Sequence, residues 1–342
     1  MTKPHRDTHA ASAGLADPTD ERSNCGVGAV IDLDGGSSHD VVADGLELLA
    51  NLEHRGTTGA EEDTGDGAGI LIQRPDEFFA AVVDIDLPET YAVGSVFMPQ
   101  NGDDRRALEA VVESTLEDHD VEVLDWRDVP TENGDLGKTA LESEPDVRQV
   151  FVAPAADQST AAFDRALYVG RRAVEKAVET PTVAGAERFY VCSLDRKTLV
   201  YKGLLKGEQV ADYYPDLGDE RVKTTLALVH ARFSTNTLGA WHLAHPYRKV
   251  IHNGEINTIQ GNINWMRARE TDLADPAFGG DLETLKPVIN DPGQSDTASV
   301  DNAIELLLNT GRELPHVLRM LIPEAFEGDD EMAQERKDWY DF

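Results

Sequence analysis

The sequence predicts a layered α+β architecture, on three observations. Apolar runs typical of buried strands lie towards both ends of the chain, as at 25–33 and 224–233. Amphipathic helices are predicted between them, as at 40–53 and 160–178. The strands do not alternate with helices as a βαβ repeat requires, so this order indicates α+β layers.

The first predicted strand follows a change of composition at Cys25. Residues 1–24 are polar and rich in turn-forming residues, which predicts a disordered leader. The segment CGVGAVIDL at 25–33 is small and β-branched, and it predicts a strand that begins at the cysteine. A helix is predicted over 40–53 because its apolar residues share one face, namely Val41, Val42, Leu46, Leu49 and Leu52.

The remaining elements follow from the same patterns. The strands at 188–194 and 198–203 are expected to form a hairpin through the turn at 195–197. A tight Asn253-Gly254 turn is expected to interrupt a strand at 249–256. Further strands are predicted at 70–72, 91–98, 121–124, 149–153 and 224–233, and further helices at 103–118, 160–178, 300–310 and 316–322.

The chain is strongly acidic, and this charge excludes several classes of protein. Its 342 residues include 64 acidic and 31 basic side chains, for a formal net charge of −33. Such a surface repels phosphate backbones and anionic lipid, which argues against nucleic-acid and membrane-surface roles. The acidity is spread along the chain, and lysine is scarce among the basic residues. Adaptation of the whole surface to concentrated salt is therefore favoured over a solvated acidic face that serves solubility.

The cysteines and the apolar runs bear on location. Cys25 and Cys192 are the two cysteines of the chain, too few for a disulfide framework or a four-cysteine metal site. No run reaches the roughly 18 apolar residues of a membrane span. The first 24 residues lack the apolar segment of a secretory signal. We therefore expect a cytoplasmic protein.

Cys25 is the first candidate for chemistry, although a lone cysteine among small apolar residues is usually a core residue. The position of Cys25, between the predicted leader and the first strand, indicates a second possibility, a catalytic role for its thiol. Cleavage before Cys25 would place the thiol beside a free α-amine, whose pKa is about 8. A nucleophile that carries its own base is a known way to activate a thiol.

The segment 230–262 has the densest cluster of candidate functional residues. Arg232 ends a predicted strand, where a guanidinium can bind a carboxylate through two hydrogen bonds. The amide of Asn253 and the N–H of Gly254 could together stabilise an oxyanion, although a plain turn is the favoured explanation of Asn-Gly taken alone. Asp296 could bind a substrate ammonium group, or it or Ser299 could cap the following helix.

Two further motifs favour structural interpretations. The four histidines His230, His242, His245 and His252 raise the question of a metal site. His242 and His245 have a spacing that could ligate a metal, but the apolar residues around them favour packing. The TGDGAG loop at 64–69 lacks the lysine and the strand–loop–helix context of a phosphate-binding loop. We expect a tight loop against the active site instead.

Taken together, these segments resemble the N-terminal glutaminase domain of the glutamate synthase large chain, a class II glutamine amidotransferase of the N-terminal-nucleophile hydrolase type. The resemblance covers nearly everything from Cys25 onward. It is carried by CGVGAV at 25–30, LEHRGTTGAEEDTGDGAGILIQ at 52–73, RFYVCSLDRKTLVYKGLL at 188–205, the motifs HARFSTNT and HPYRKVIHNGEINTIQGNINWMRARE within 230–270, and QSDTASVDNAIELLLNTGRELPHVLRMLIPEAF at 294–326.

The resemblance implies a role for each candidate residue. Cys25 would be the nucleophile, freed by removal of residues 1–24, and its α-amine the base. Arg232 would bind the α-carboxylate of glutamine and Asp296 its α-ammonium group. The oxyanion would be stabilised by Asn253 and Gly254. Thr235 would line the substrate site, and the fold would be a four-layer αββα sandwich.

The resemblance also implies a partner. Family large chains continue into a part that binds FMN and an iron–sulfur cluster and converts 2-oxoglutarate to glutamate. We expect those cofactors there, with none in this chain, and ammonia passing to that domain or subunit. The family's glutaminase domain also continues past the last matching segment, so we expect the last strands to be missing here.

Two alternatives to a glutamate synthase glutaminase remain open. A non-catalytic or truncated remnant of such a large chain would keep the fold without turnover. A different class II amidotransferase, such as asparagine synthetase or amidophosphoribosyltransferase, shares the chemistry but lacks the motifs at 52–73 and 294–326.

Overall fold

The computed structural model describes residues 26–52, 61, 63–155, 157–179, 183–232, 239–252, 256, 259–289 and 295–341. Strands in this part of the chain form two antiparallel sheets, each of four strands. The strands are β1 (Gly26–Ile31), β2 (Ala68–Gln73), β3 (Ala92–Met98), β4 (Val121–Asp128), β5 (Asp146–Pro154), β6 (Tyr190–Asp195), β7 (Thr198–Gly203) and β8 (Leu226–Ala231).

In the described part of the chain, helices cover the outer faces of the sheets, and four α-helices follow β8. They are α1 (His39–Asn51), α2 (Asp76–Val82), α3 (Gly102–Glu117), α4 (Lys138–Glu142), α5 (Thr160–Glu179), α6 (Gln209–Tyr213), α7 (Ile259–Glu270), α8 (Asp296–Asn309), α9 (Leu314–Leu321) and α10 (Gln334–Asp341). No helix in the described ranges is long and apolar enough to cross a membrane.

The first sheet has the strand order β1-β8-β2-β7, and α1 packs on its outer face. The helix approaches closely because Gly45 has no side chain. A Cβ atom there would lie 2.9 Å from the Cβ of Ala227 on β8 and 3.3 Å from Ile70 on β2. Leu71, Leu199 and other apolar side chains of this sheet belong to the main core.

The second sheet has the order β4-β5-β3-β6 and separates two cores. Because successive residues of a strand point to opposite faces, Val93 and Phe97 on β3 face the first sheet, whereas Ala92 and Met98 face α3 and α5. The layers are therefore helix, sheet, sheet and helix. This αββα sandwich confirms the predicted α+β class and the layer order that the resemblance implied.

The predicted hairpin at 188–203 is wrong. The strands β6 and β7 lie on either side of the expected turn, but β6 pairs with β3 in the second sheet and β7 with β2 in the first. The turn itself forms, because the Asp195 carboxylate accepts hydrogen bonds from the backbone N–H groups of Lys197 and Thr198 at 2.6 and 3.2 Å. The chain therefore crosses between sheets, and the local turn pattern did not distinguish this crossing from a hairpin.

The strand predicted at 249–256 is also not formed in its described part, residues 249–252 and 256. The backbone there bonds to side chains rather than to a neighbouring strand. The Lys249 N–H donates to Asp301 Oδ1 at 2.7 Å, and the N–H of Ile256 donates to Asp296 Oδ2 at 2.9 Å. The β-branched run at 250–251 was therefore misleading.

Candidate active site

Three strands of the first sheet end side by side, and this end of the sheet contains the candidate site. Gly26, at the start of β1, pairs with Ala231 at the end of β8, and Ala231 also pairs with Ala68 at the start of β2. Arg232 follows Ala231 directly, and its backbone N–H donates to the carbonyl of Gly67 at 2.8 Å. Arg232 therefore lies next to the start of β1, whose first residue, Gly26, directly follows Cys25 in sequence.

Four of the predicted site residues, Cys25, Thr235, Asn253 and Gly254, lie outside the described residues. Arg232 and Asp296 are described. The roles assigned to all six side chains therefore remain predictions.

The glycine-rich loop before β2 is tight, as predicted. Gly67 has a φ of +129°, a conformation that strains residues with a side chain. A Cβ atom at Gly69 would lie within 2.7 Å of the backbone oxygens of Tyr201 and His245. Glycine is required at position 69 because the backbones of the segments around Tyr201 and His245 leave no room for a side chain.

Asp296 is the first residue of α8 and does not cap it, contrary to one of the interpretations above. The cap is Ser295, whose hydroxyl accepts a hydrogen bond from the N–H of Ala298 at 3.2 Å, and Ser299 has no capping role either. The Asp296 carboxylate instead accepts the hydrogen bond from Ile256. The Asp296 carboxylate therefore lies against the backbone of Ile256.

Tyr247 links the two described site residues, and the sequence contained no signal for it. Its hydroxyl lies 2.7 Å from the hydroxyl of Ser295, next to Asp296. Burial raises the pKa of Tyr247, while the nearby guanidinium of Arg232 opposes the rise. One buried tyrosine thus contacts the residue before Asp296 and lies within electrostatic range of Arg232.

A buried lysine holds the loop that leads to Tyr247. Lys202 on β7 is 1% exposed, and its Nζ donates to the carbonyls of His242 and Ala244 at 3.0 and 2.8 Å. Burial lowers the pKa of Lys202 to about 8. Its ammonium group also lies 4.6 Å from the centre of the Tyr247 ring. No sequence pattern indicated a role for Lys202, because one lysine at the end of an apolar strand is usually exposed.

The histidines pack and bond, as the sequence favoured. His245 stacks on His230 with ring centroids 4.2 Å apart, and His242 rests against the ring of Tyr190 at 5.7 Å. Burial lowers the pKa of His230 to about 4. Among the residues described by the structure, no group of three or more His, Cys, Asp or Glu side chains is arranged to hold a metal ion.

The segment before 253 is fixed by buried charges. Arg248 donates to Glu305 Oε2 and to Asn302 Oδ1, both at 2.6 Å, from positions where all three side chains are buried. Lys249 forms an ion pair with Asp195 at the end of β6. These contacts join the 247–252 segment to α8 and to the second sheet.

Comparison with known proteins gives consistent matches over the same residues. A family model described as class II glutamine amidotransferases matches residues 25–342. The chain is 44% identical over 333 residues to the glutamate synthase (NADPH) large chain of Bacillus subtilis, covering 96% of this chain and 22% of that protein. It is 41% identical over 346 residues to glutamate synthase (NADH) of Saccharomyces cerevisiae, covering 96% and 16%.

A plant relative gives the same picture. The chain is 39% identical over 339 residues to ferredoxin-dependent glutamate synthase 2, chloroplastic, of Arabidopsis thaliana, covering 96% of this chain and 21% of that protein. The chain thus spans about a fifth of the length of the relatives it matches.

Proposed function

The chain belongs to the class II glutamine amidotransferases, and on that premise we propose that it hydrolyses the side-chain amide of glutamine to glutamate and ammonia. One structural observation supports this most strongly. The register between β1 and β8 joins the residue after Cys25 to the residue before Arg232. A nucleophile and a carboxylate-binding group would then meet at one end of one sheet.

The proposed reaction uses Cys25 after removal of residues 1–24. The freed α-amine takes the thiol proton, and the thiolate attacks the amide carbon of glutamine. The tetrahedral intermediate collapses to a thioester when the amine returns the proton to the departing ammonia. Water then cleaves the thioester, so that one glutamine and one water give one glutamate and one ammonia. The Asn253 amide and the Gly254 N–H stabilise the negative oxygen in both steps.

Opposite charges would orient the substrate. Arg232 binds the α-carboxylate of glutamine, Asp296 binds its α-ammonium group, and Thr235 lines the site. The contact of Tyr247 with Ser295 and its electrostatic coupling to Arg232 support a common pocket for the two charges. A pocket of this kind selects an amino acid with both charged groups free.

The ammonia would serve glutamate synthesis from 2-oxoglutarate in a partner domain or subunit. The relatives named above are glutamate synthases, and the matched region is a fifth of their length. We place FMN and the iron–sulfur cluster in that partner and glutamine binding in this chain. Such a partner would consume ammonia where it is released.

Loss of either orienting charge should weaken glutamine binding. We expect Arg232→Leu to raise KM for glutamine about 100-fold, because a charge-assisted hydrogen-bonded pair is worth several kcal/mol. Asp296→Asn should raise KM about 10-fold, since the amide oxygen can still accept the hydrogen bond from Ile256. Both KM values are measured from initial rates of ammonia release at varied glutamine concentration.

Matched controls come from an exposed ion pair on α3, formed by Arg106 and Asp103 with 67% and 88% of their side chains accessible. Arg106→Leu and Asp103→Asn should leave KM within about twofold, as surface pairs contribute little. An unchanged KM in both site variants would show that glutamine is oriented by other groups.

We also propose that the acidic surface is adapted to concentrated salt in a cytoplasm rich in it. A net charge of −33 repels itself across the folded chain, and added ions screen this repulsion within about 3 Å at 1 M salt. The melting temperature should therefore rise by several degrees between 0.1 M and 3 M KCl, measured by circular dichroism. A melting temperature that is flat or falls over this range would contradict the proposal.

A further inference from the structure

A buried histidine on β8 holds the backbone next to the proposed oxyanion-binding residues. His230 is 0% exposed, and its Nε2 lies 2.9 Å from the carbonyl oxygen of His252. Because a carbonyl oxygen only accepts hydrogen bonds, the proton must be on Nε2. The ring is therefore the neutral Nε2–H tautomer, and its low pKa of about 4, caused mainly by burial, agrees with this form.

This hydrogen bond has a specific place in the chain. His252 directly precedes Asn253, and Ile256, on the other side of residues 253–255, is held by its hydrogen bond to Asp296. Two side chains thus fix the backbone on both sides of the segment. One comes from β8 and the other from the first turn of α8.

The hydrogen bond between His230 and His252 matters because His230 lies on β8. β8 pairs with β1 along its whole length, from Gly26 opposite Ala231 to Ile31 opposite Leu226. The hydrogen bond from His230 therefore fixes the His252 carbonyl relative to β8 and to β1, the strand that follows Cys25 in sequence. The ring of His245 stacks on the His230 ring, with the ring centroids 4.2 Å apart.

We propose that His230 is a positioning residue for the oxyanion-binding segment, acting through the hydrogen bond from its Nε2–H to the His252 carbonyl. This inference rests on the proposed glutaminase function. His230 does not touch the substrate. It fixes the His252 carbonyl relative to β8 and its paired strand β1, and reaction rates are very sensitive to the placement of groups in a site.

Two substitutions of nearly equal polarity separate this role from general stability. His230→Gln can place an amide N–H where Nε2 now lies, whereas the shorter His230→Asn cannot reach the carbonyl. We expect kcat for glutamine to fall about 100-fold in His230→Asn with KM within about threefold. His230→Gln should recover at least tenfold of that loss. If His230→Asn does not fold, His230→Met takes its place.

A second readout uses chemistry that needs no oxyanion. Alkylation of Cys25 by iodoacetamide, followed by peptide mass, should proceed at the wild-type rate in both variants. His119→Gln, at the end of α3 and paired only loosely with Asp281 at 3.9 Å, serves as a control that should keep full kcat.

Three results would overturn the inference. The first is a kcat for His230→Asn within about threefold of wild type. The second is a His230→Gln variant that is no better than His230→Asn. The third is a parallel loss of Cys25 alkylation, which would indicate a general structural role. Absence of glutamine hydrolysis in the wild-type chain would instead contradict the proposed function itself.

Discussion

Cys25→Ala is expected to abolish glutamine hydrolysis while the chain stays folded. On the proposed mechanism, the thiol is the only protein group that forms a bond to the substrate carbon. Its removal should lower kcat by at least about 1,000-fold, as loss of a covalent nucleophile does in other hydrolases. The measurement is the release of ammonia and glutamate from glutamine, with the circular dichroism spectrum as the test of folding.

The other cysteine provides the control. Cys192 lies on β6 with 1% of its surface exposed, and burial raises the pKa of its thiol to about 12. A thiol in that state is inert, so Cys192→Ala should keep its activity and lose only some stability. Equal activity in wild type and Cys25→Ala would exclude the thioester mechanism. Complete inactivity of the wild type would favour the non-catalytic remnant.

Glu305→Gln is expected to lower the free energy of unfolding by about 3 to 5 kcal/mol. Glu305 Oε2 accepts hydrogen bonds from Arg171 on α5 at 2.7 Å and from Arg248 at 2.6 Å. All three side chains are at most 8% exposed. Removing the negative charge leaves two buried guanidinium groups without the anion that they share. Urea unfolding at constant KCl concentration measures the difference.

The pH dependence of this effect has a definite sign. Burial disfavours the ionised Glu305 carboxylate, but Arg171 and Arg248 outweigh it and hold its pKa below the ordinary value. A lowered pKa in the folded state stabilises the protein above the unfolded value of about 4.3, and the contribution is lost as the pH falls through the folded value. The gap between wild type and Glu305→Gln should therefore narrow in acid.

An exposed carboxylate with similar partners is the matched control. Glu324 contacts Arg319 and Arg336 on the surface, where its side chain is 46% exposed. Solvent screens these charges, so Glu324→Gln should scarcely change unfolding. Equal effects of the two substitutions would contradict the view that burial makes the Glu305 cluster important.

The elements with a clear period were predictable from sequence. The spacing of apolar residues located α1, α3 and α5, and the β-branched runs located β1, β3 and β5. α7 was not predicted, because its side chains form no continuous apolar face: Ile263 is buried, whereas Trp265 is 77% exposed. Local patterns thus predict a helix or strand correctly where one face of that element packs against the core.

Pairing between distant segments was not predictable in the same way. The turn at 195–197 looks alike whether β6 and β7 share a sheet or cross between sheets. Residues 249–252 have the composition of a strand, yet the buried side chains of Asp301 and His230 form hydrogen bonds with their backbone. Both outcomes depend on residues 50 or more positions away or on side-chain contacts that no local window contains.

In the candidate site, too, local motifs predicted some residues, whereas others depend on contacts between distant segments. Arg232 and Asp296 were singled out from their motifs, but Tyr247 and Lys202 were not, because a single buried polar side chain has no local signature. His230 was considered only as a metal ligand. Its hydrogen bond to His252 became visible only when the fold placed β8 beside that segment.

The most direct test of the central claim is the intact mass and N-terminal sequence of the chain produced in molar KCl, followed by a glutaminase assay of the same sample. The proposed mechanism predicts a chain that begins at Cys25 and releases ammonia from glutamine. A chain that still begins near Met1 and nevertheless hydrolyses glutamine at full rate would contradict it, because the thiol would then act without the free α-amine on which the mechanism depends.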